Sequence, residues 1–171
     1  MILYIDTSAL IKAYVTEDAS EDVLALMGEA DVVATSRLAY PEATAALARR
    51  GREGHLAAPA LARATEALRA QRREFLTIEL DEDSAVALVL RHPLRAADAL
   101  HLAAALEVAA TAREAHLVFA CYDRRLNEAA RAEGLAVFGS TLSPQGSGGL
   151  RHHSIRGGQH LNTGRSHDAE V

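Results

Sequence analysis

Two apolar rhythms alternate along the chain. Short, nearly unbroken apolar runs at 2–5 (ILYI), 31–35 (DVVAT), 75–80 (FLTIEL), 116–123 (HLVFACYD) and 135–139 (LAVFG) are rich in β-branched and aromatic residues, which predicts strands. Between them apolar positions recur with the helical period, predicting helices at 7–14, 21–30, 36–51, 59–73, 81–91, from Ala97 onward and at 124–134. Thr7 or Ser8 can cap the first helix and Ser36 the third, with Pro41 in its first turns or at its true start. Gly51 and Gly54 stop that third helix, and Pro93 closes the one at 81–91.

Strands that alternate with helices, and are apolar on both sides, predict an α/β fold. Its centre is a parallel β-sheet of four to five strands flanked by helices on both faces. After Ser143 the pattern fails, because residues 143–171 hold Gly, Ser, His and Arg with few apolar positions. The expected organisation is therefore one domain over 1–142 and a disordered extension over 143–171. His152, His153, His160 and His167 lie in that extension at a spacing that matches no tetrahedral metal site.

A chain of 171 residues suffices for one well-buried core. Cys121 is the single cysteine, so no internal disulfide forms. Met1 leads straight into a strand with no charged leader, and no apolar run reaches the ~20 residues of a bilayer span. The expected setting is the cytoplasm, with no membrane partner.

The formal net charge of −5 argues against nucleic-acid binding by the surface as a whole. The distribution differs: between Ser36 and Leu80 eight arginines face five glutamates. The helices at 36–51 and 59–73 would form an arginine-edged hairpin, for which a solvated helix face is the structural explanation.

Asp6 and Asp123 each follow an apolar strand, and a parallel sheet puts both at its carboxyl edge, where sites form. Glu42, early in the third helix, and Asp98, early in the ADALHLAAAL helix, can point to the same edge. Each acid alone has an ordinary reading as a cap or a solvated residue, and Asp98 has Arg95 as a candidate partner. Four acids together repel unless a cation compensates. Carboxylate oxygens without a Cys/His pattern point to Mg²⁺ or Mn²⁺, and a pair of such ions can activate water and stabilise a leaving oxygen in phosphodiester hydrolysis. His101, one turn after Asp98, reads as structural. Cys121 reads as a strand residue with no neighbouring base.

DTSAL after the first strand, YPE in the third helix, LRAADALHLAAA and YDRRLNEAA resemble, in this order, the PIN-domain ribonucleases, most closely VapC-like toxins of bacterial toxin–antitoxin pairs. The resemblance spans about residues 1–140. It implies a PIN fold and a Mg²⁺- or Mn²⁺-dependent endoribonuclease. Asp6, Glu42, Asp98 and Asp123 would be its catalytic and metal-binding set, with Ser8 a hydroxyl helper that orients Asp6 or a metal-bound water. Family members often carry Thr or Ser two residues before the last acid, where this chain has Cys121.

The resemblance further implies an RNA substrate, a cognate antitoxin and a homodimer. Arg49, Arg50, Arg52, Arg72 and Arg73 become candidates to guide the RNA backbone. An antitoxin helix would lie in a groove for which SALIKAYV and DVLALMG supply apolar faces. Alternatives are a PIN nuclease that is not a toxin and a PIN-fold binding module without cleavage. A receiver-type phosphoacceptor lacks its late-strand lysine here. A haloacid-dehalogenase-like phosphatase would need Asp where Ser8 stands.

Overall fold

The structure, a computed structural model, describes residues 1–139. The expected boundary at 142 and the extension at 143–171 lie outside the described residues. Five short strands form one all-parallel sheet: β1 (Ile2–Ile5), β2 (Val32–Ser36), β3 (Leu76–Ile78), β4 (Leu117–Ala120) and β5 (Ala136–Phe138), in the order β3-β2-β1-β4-β5. β1 lies at the centre, with Ile2 in register with both Val32 and Leu117. The chain winds outward from β1 to β3, crosses back, and winds outward on the other side.

The helices are α1 (Thr7–Leu10), α2 (Ser20–Glu29), α3 (Ala39–Arg52), α4 (Ala58–Gln71), α5 (Glu82–Arg91), α6 (Ala96–Thr111) and α7 (Arg124–Ala132). Reversal of the winding direction sends successive right-handed crossovers to opposite faces. Leu3 and Ile5 bury against α1 to α4, whereas Tyr4, between them, buries against α5 to α7. That alternation is the period of two that any strand imposes, and it explains why β1 reads as apolar throughout. The same reversal opens a crevice between β1 and β4 at their carboxyl ends.

Three local details differ from the sequence reading. The cap of α1 is Asp6, whose Oδ1 accepts the Ala9 N–H at 3.1 Å; a 3₁₀ turn at Ile11–Ala13 then shortens the helix. Ser36 is the last residue of β2, and its Oγ accepts the Leu38 N–H at 3.1 Å, ordering the turn ahead of α3. Starting α3 at Ala39 leaves Pro41 in the first turn, where a missing N–H costs nothing. β3 is only three residues long because it is an edge strand paired on one side alone.

Candidate active site

Asp6 continues from β1 into the crevice. Its backbone N–H donates to the Ala120 carbonyl (3.0 Å), which ties the ends of β1 and β4 together. Ser8 donates its hydroxyl to Asp6 Oδ1 (2.7 Å) and accepts the Tyr122 N–H (2.7 Å). Ser8 thus positions a carboxylate and clamps the loop after β4 with one oxygen. Asp6 is buried, and burial pushes its carboxyl above the usual range; the nearby His101 ring and the Ser8 hydrogen bond oppose that rise only in part.

On the other side of the crevice Asp123 caps α7 through Oδ1, which accepts the Leu126 N–H at 3.0 Å. Asp98 sits in the first turn of α6, its Oδ2 near the Arg95 N–H at 3.4 Å. The two acids share a cleft of about 240 Å³ with Arg95, Arg124 and Arg125. Burial, and after it the charge of Asp123, pushes the Asp98 carboxyl up. Asn127 donates its amide to the Cys121 carbonyl (2.9 Å), holding the turn that leads to Asp123.

Glu42 is joined to this edge through α6. Its Oε2 accepts the Thr7 hydroxyl (2.6 Å) and lies 3.0 Å from His101 Nε2. Burial raises the Glu42 carboxyl, but the hydrogen bonds from His101 and Thr7 outweigh it and hold the group below the usual range. His101 is fully inside the protein and its Nδ1 lies 3.2 Å from the Tyr4 hydroxyl.

Four acids therefore reach one sheet edge, arranged as a carboxylate pair, Asp98 with Asp123, beside Asp6 and Glu42, which are tied to hydroxyls and an imidazole. Among the described residues no three His, Cys, Asp or Glu side chains close into a metal cage. The donor set suits a hard ion that keeps most of its water, since Mg²⁺ commonly takes one or two carboxylates and leaves its other positions to water or phosphate. Cys121 is buried between Asp6 and Asp123. Burial, then the charge of Asp6, drives its thiol far above the usual range.

The family profile described as "PIN domain" matches residues 3–132. The chain belongs to the PIN domain family. Two curated relatives, ribonucleases VapC45 and VapC49 of Mycobacterium tuberculosis strains CDC 1551 / Oshkosh and H37Rv, are each 40% identical over 146 residues. That stretch covers 84% of this chain and 99% of either relative. Among solved structures, Mycobacterium tuberculosis VapC20, a sarcin-ricin loop cleaving toxin, matches with a TM-score of 0.57 at 21% identity. The match covers 78% of this chain and 96% of that one, a likeness of fold.

Within this PIN domain the hairpin arginines scatter. Arg50 pairs with Glu17 (2.7 Å), Arg49 and Arg50 line a groove with Tyr14 and Arg63, Arg72 stacks on Tyr40, and Arg52 and Arg73 are exposed. Basic groups beside the acids come instead from Arg95, Arg124 and Arg125. Sequence reading named Arg95 only as a partner for Asp98, and passed over Arg124 and Arg125 because RRL after Asp123 looks like an ordinary first helical turn. Of the two apolar faces expected to form a partner groove, Ala9, Leu10, Ile11 and Val23 are core, while Leu24 and Met27 line a surface cleft.

Proposed function

We propose that this PIN domain is a Mg²⁺- or Mn²⁺-dependent endoribonuclease that cuts RNA phosphodiester bonds, and that it is the toxin of a toxin–antitoxin pair. The observation that carries this reading is the half-buried Asp98–Asp123 pair, two like charges in one small cleft edged by three arginines. Such an arrangement is costly unless a cation and an anionic substrate fill it. The 40% identity to ribonucleases VapC45 and VapC49 along nearly their whole length supports the same reaction class.

Asp98 and Asp123 would hold the ion with Asp6 beside them, and the bound ion would supply charge compensation and activate water for attack at phosphorus. The chain's own residues do the rest. Ser8 fixes the rotamer of Asp6, Thr7 and His101 keep Glu42 ionised and aimed, and Arg95, Arg124 and Arg125 offer donors to a phosphate entering the cleft.

Among the described residues no helix is long and apolar enough to cross a membrane; RNA substrates put the enzyme's work in the cytoplasm. A cognate antitoxin would supply the basic group that covers the acidic cleft between encounters with RNA. A homodimer is part of the same reading, supported by an apolar cleft of about 370 Å³ lined by Val86, Val89, Leu90 and Leu100 on α5 and α6, where Leu90 is 83% exposed.

The test is cleavage of a mixed RNA pool by the purified chain, with Mg²⁺, with Mn²⁺ and with chelator, beside folded Asp6→Asn and Asp98→Asn variants. Cutting that needs the ion and disappears in both variants is the expected result. Divalent-ion binding without any cutting of RNA or single-stranded DNA would instead favour a binding module.

A further inference from the structure

A second cleft, of about 640 Å³, opens at the same sheet edge between the start of α3 and the end of α4. Its size falls within the roughly 300–1,000 Å³ of small-ligand sites. The residues that line it come from the elements that carry the acids. Leu10 belongs to α1, which Asp6 caps, and Tyr40 precedes Glu42 by two positions in the first turns of α3. Leu10 and Phe75 make an apolar floor. Above it the Arg72 guanidinium lies 4.2 Å from the centroid of the Tyr40 ring. Arg72 is exposed to solvent at the mouth of this cleft.

The rim is cationic. Among the described residues Arg37 lines the cleft and pairs with Glu79; both side chains are mostly exposed, at 64% and 69%. Exposed pairs of this kind hold weakly, so an incoming phosphate can compete for the arginine. Arg69 stands near enough for its charge to feel Tyr40. An aromatic and guanidinium pair over an apolar floor, with a weakly paired cation at the rim, is the chemistry that takes an unpaired nucleobase and its phosphate.

We propose that the Tyr40–Arg72 layer is a base-stacking subsite for single-stranded RNA. It would seat the base of one nucleotide of the bound strand, with Arg37 on that nucleotide's phosphate. This inference rests on the ribonuclease reading. It explains why the basic excess of the chain lies between Ser36 and Leu80 while the remainder is strongly acidic. Selection of the cleavage position would then come from this cleft and bond breaking from the acids, two functions in neighbouring places.

The experiment uses the full chain carrying Asp98→Asn, so that RNA is held without being cut, and short single-stranded RNAs with 2-aminopurine at successive positions. One position is expected to lose fluorescence on binding, as a stacked base does. Tyr40→Ala and Arg72→Ala should each abolish that quenching and weaken binding roughly 5- to 150-fold, the effect of losing one base stack. Tyr40→Phe should keep both, which separates stacking from damage to the fold. In the cutting-competent chain, Tyr40→Ala should raise KM and flatten sequence preference at one position while changing kcat little.

RNA binding and quenching that persist in both alanine variants would overturn the subsite while leaving the ribonuclease intact. The same persistence combined with loss of antitoxin binding would assign the cleft to a protein and likewise overturn it. A wild-type chain that neither binds nor cuts RNA would remove the subsite together with the ribonuclease reading.

Discussion

His101 Nε2 and Glu42 Oε2, 59 positions apart in the chain, lie 3.0 Å from each other, and the Tyr4 hydroxyl closes the imidazole from its other side at 3.2 Å. A carboxylate only accepts, so Nε2 carries the proton toward Glu42, and Nδ1 can then accept the Tyr4 O–H. One buried phenol thus selects the tautomer that aims Glu42.

His101→Ala should leave the buried Tyr4 O–H without its imidazole acceptor, the Ser36 backbone contact remaining, and Glu42 with Thr7 alone. The expected cost is about 2–4 kcal/mol of stability, from cavity and orphaned donor together. Cleavage should fall by roughly 10- to 100-fold, as it does when a group that orients a catalytic ligand is removed. His101→Gln, which keeps a donor near Glu42, should recover part of the rate; thermal unfolding and single-turnover cleavage read the two effects separately.

Asp98→Asn should separate stability from activity in opposite directions. The substitution removes the repulsion between Asp98 and Asp123 in the ion-free protein while an amide oxygen can still accept from Arg95 N–H. A gain of about 1 kcal/mol would raise Tm by about 2–4 °C at this size. Cleavage should disappear, and so should the stabilisation that added Mg²⁺ gives the wild type. Calorimetry with and without the ion checks both.

Glu17 sets a pH dependence away from the acidic edge. Burial raises its carboxyl, but hydrogen bonds and charges from Arg50 (2.7 Å) and Lys12 (3.1 Å) outweigh it and hold the group below the usual range. The folded state then binds fewer protons than the unfolded state near the usual glutamate range, so stability rises with pH there. The contribution is present above the unfolded-state value and is lost as pH falls through the lower, folded-state value. Glu17→Gln should cost about 1–2 kcal/mol at pH 7 and progressively less as pH falls through the lowered folded-state value, measured by denaturant titration.

Asp6 has the opposite sign. Its raised carboxyl means that the fold without an ion loses stability as pH climbs above the usual aspartate range. Asp6→Asn should flatten that decline.

Cys121 should resist alkylation in the native protein, because its thiol is buried and far from ionising at neutral pH. Its sulfur accepts the Asp123 N–H at 3.2 Å. A hydroxyl can take over that acceptor role, so Cys121→Ser should retain cleavage within a few-fold, whereas Cys121→Val should misplace Asp123 and lower it further. Iodoacetamide labelling before and after denaturation, with initial cleavage rates, decides the point.

The parallel sheet and the placing of Asp6 and Asp123 at its carboxyl edge were legible because both follow from periodicity, whereas the strand order was not read from the sequence. Apolar runs of four or five residues bounded by helices make a parallel sheet, and an Asp directly after such a run must lie at its carboxyl edge. Contacts between distant helices left no local trace. His101 looks from its neighbours like one more buried position on an apolar helix, and only the fold brings Glu42 and Tyr4 to its two nitrogens. Ser36 shows the limit at closer range: a serine ahead of a helix can cap the helix or the turn before it, and Pro41 decides between them by needing the first turn.

The division of the sheet about β1 has a consequence for when the enzyme becomes able to act. Asp6 and Glu42 belong to the first half of the winding, Asp98 and Asp123 to the second, and β4 must slot beside β1 before the two sets meet. A partly synthesised chain that ends before β4 holds at most three of the four acids and has no wall on which to assemble them. On the proposed four-acid site, a chain still lacking β4 has no complete site with which to cut RNA.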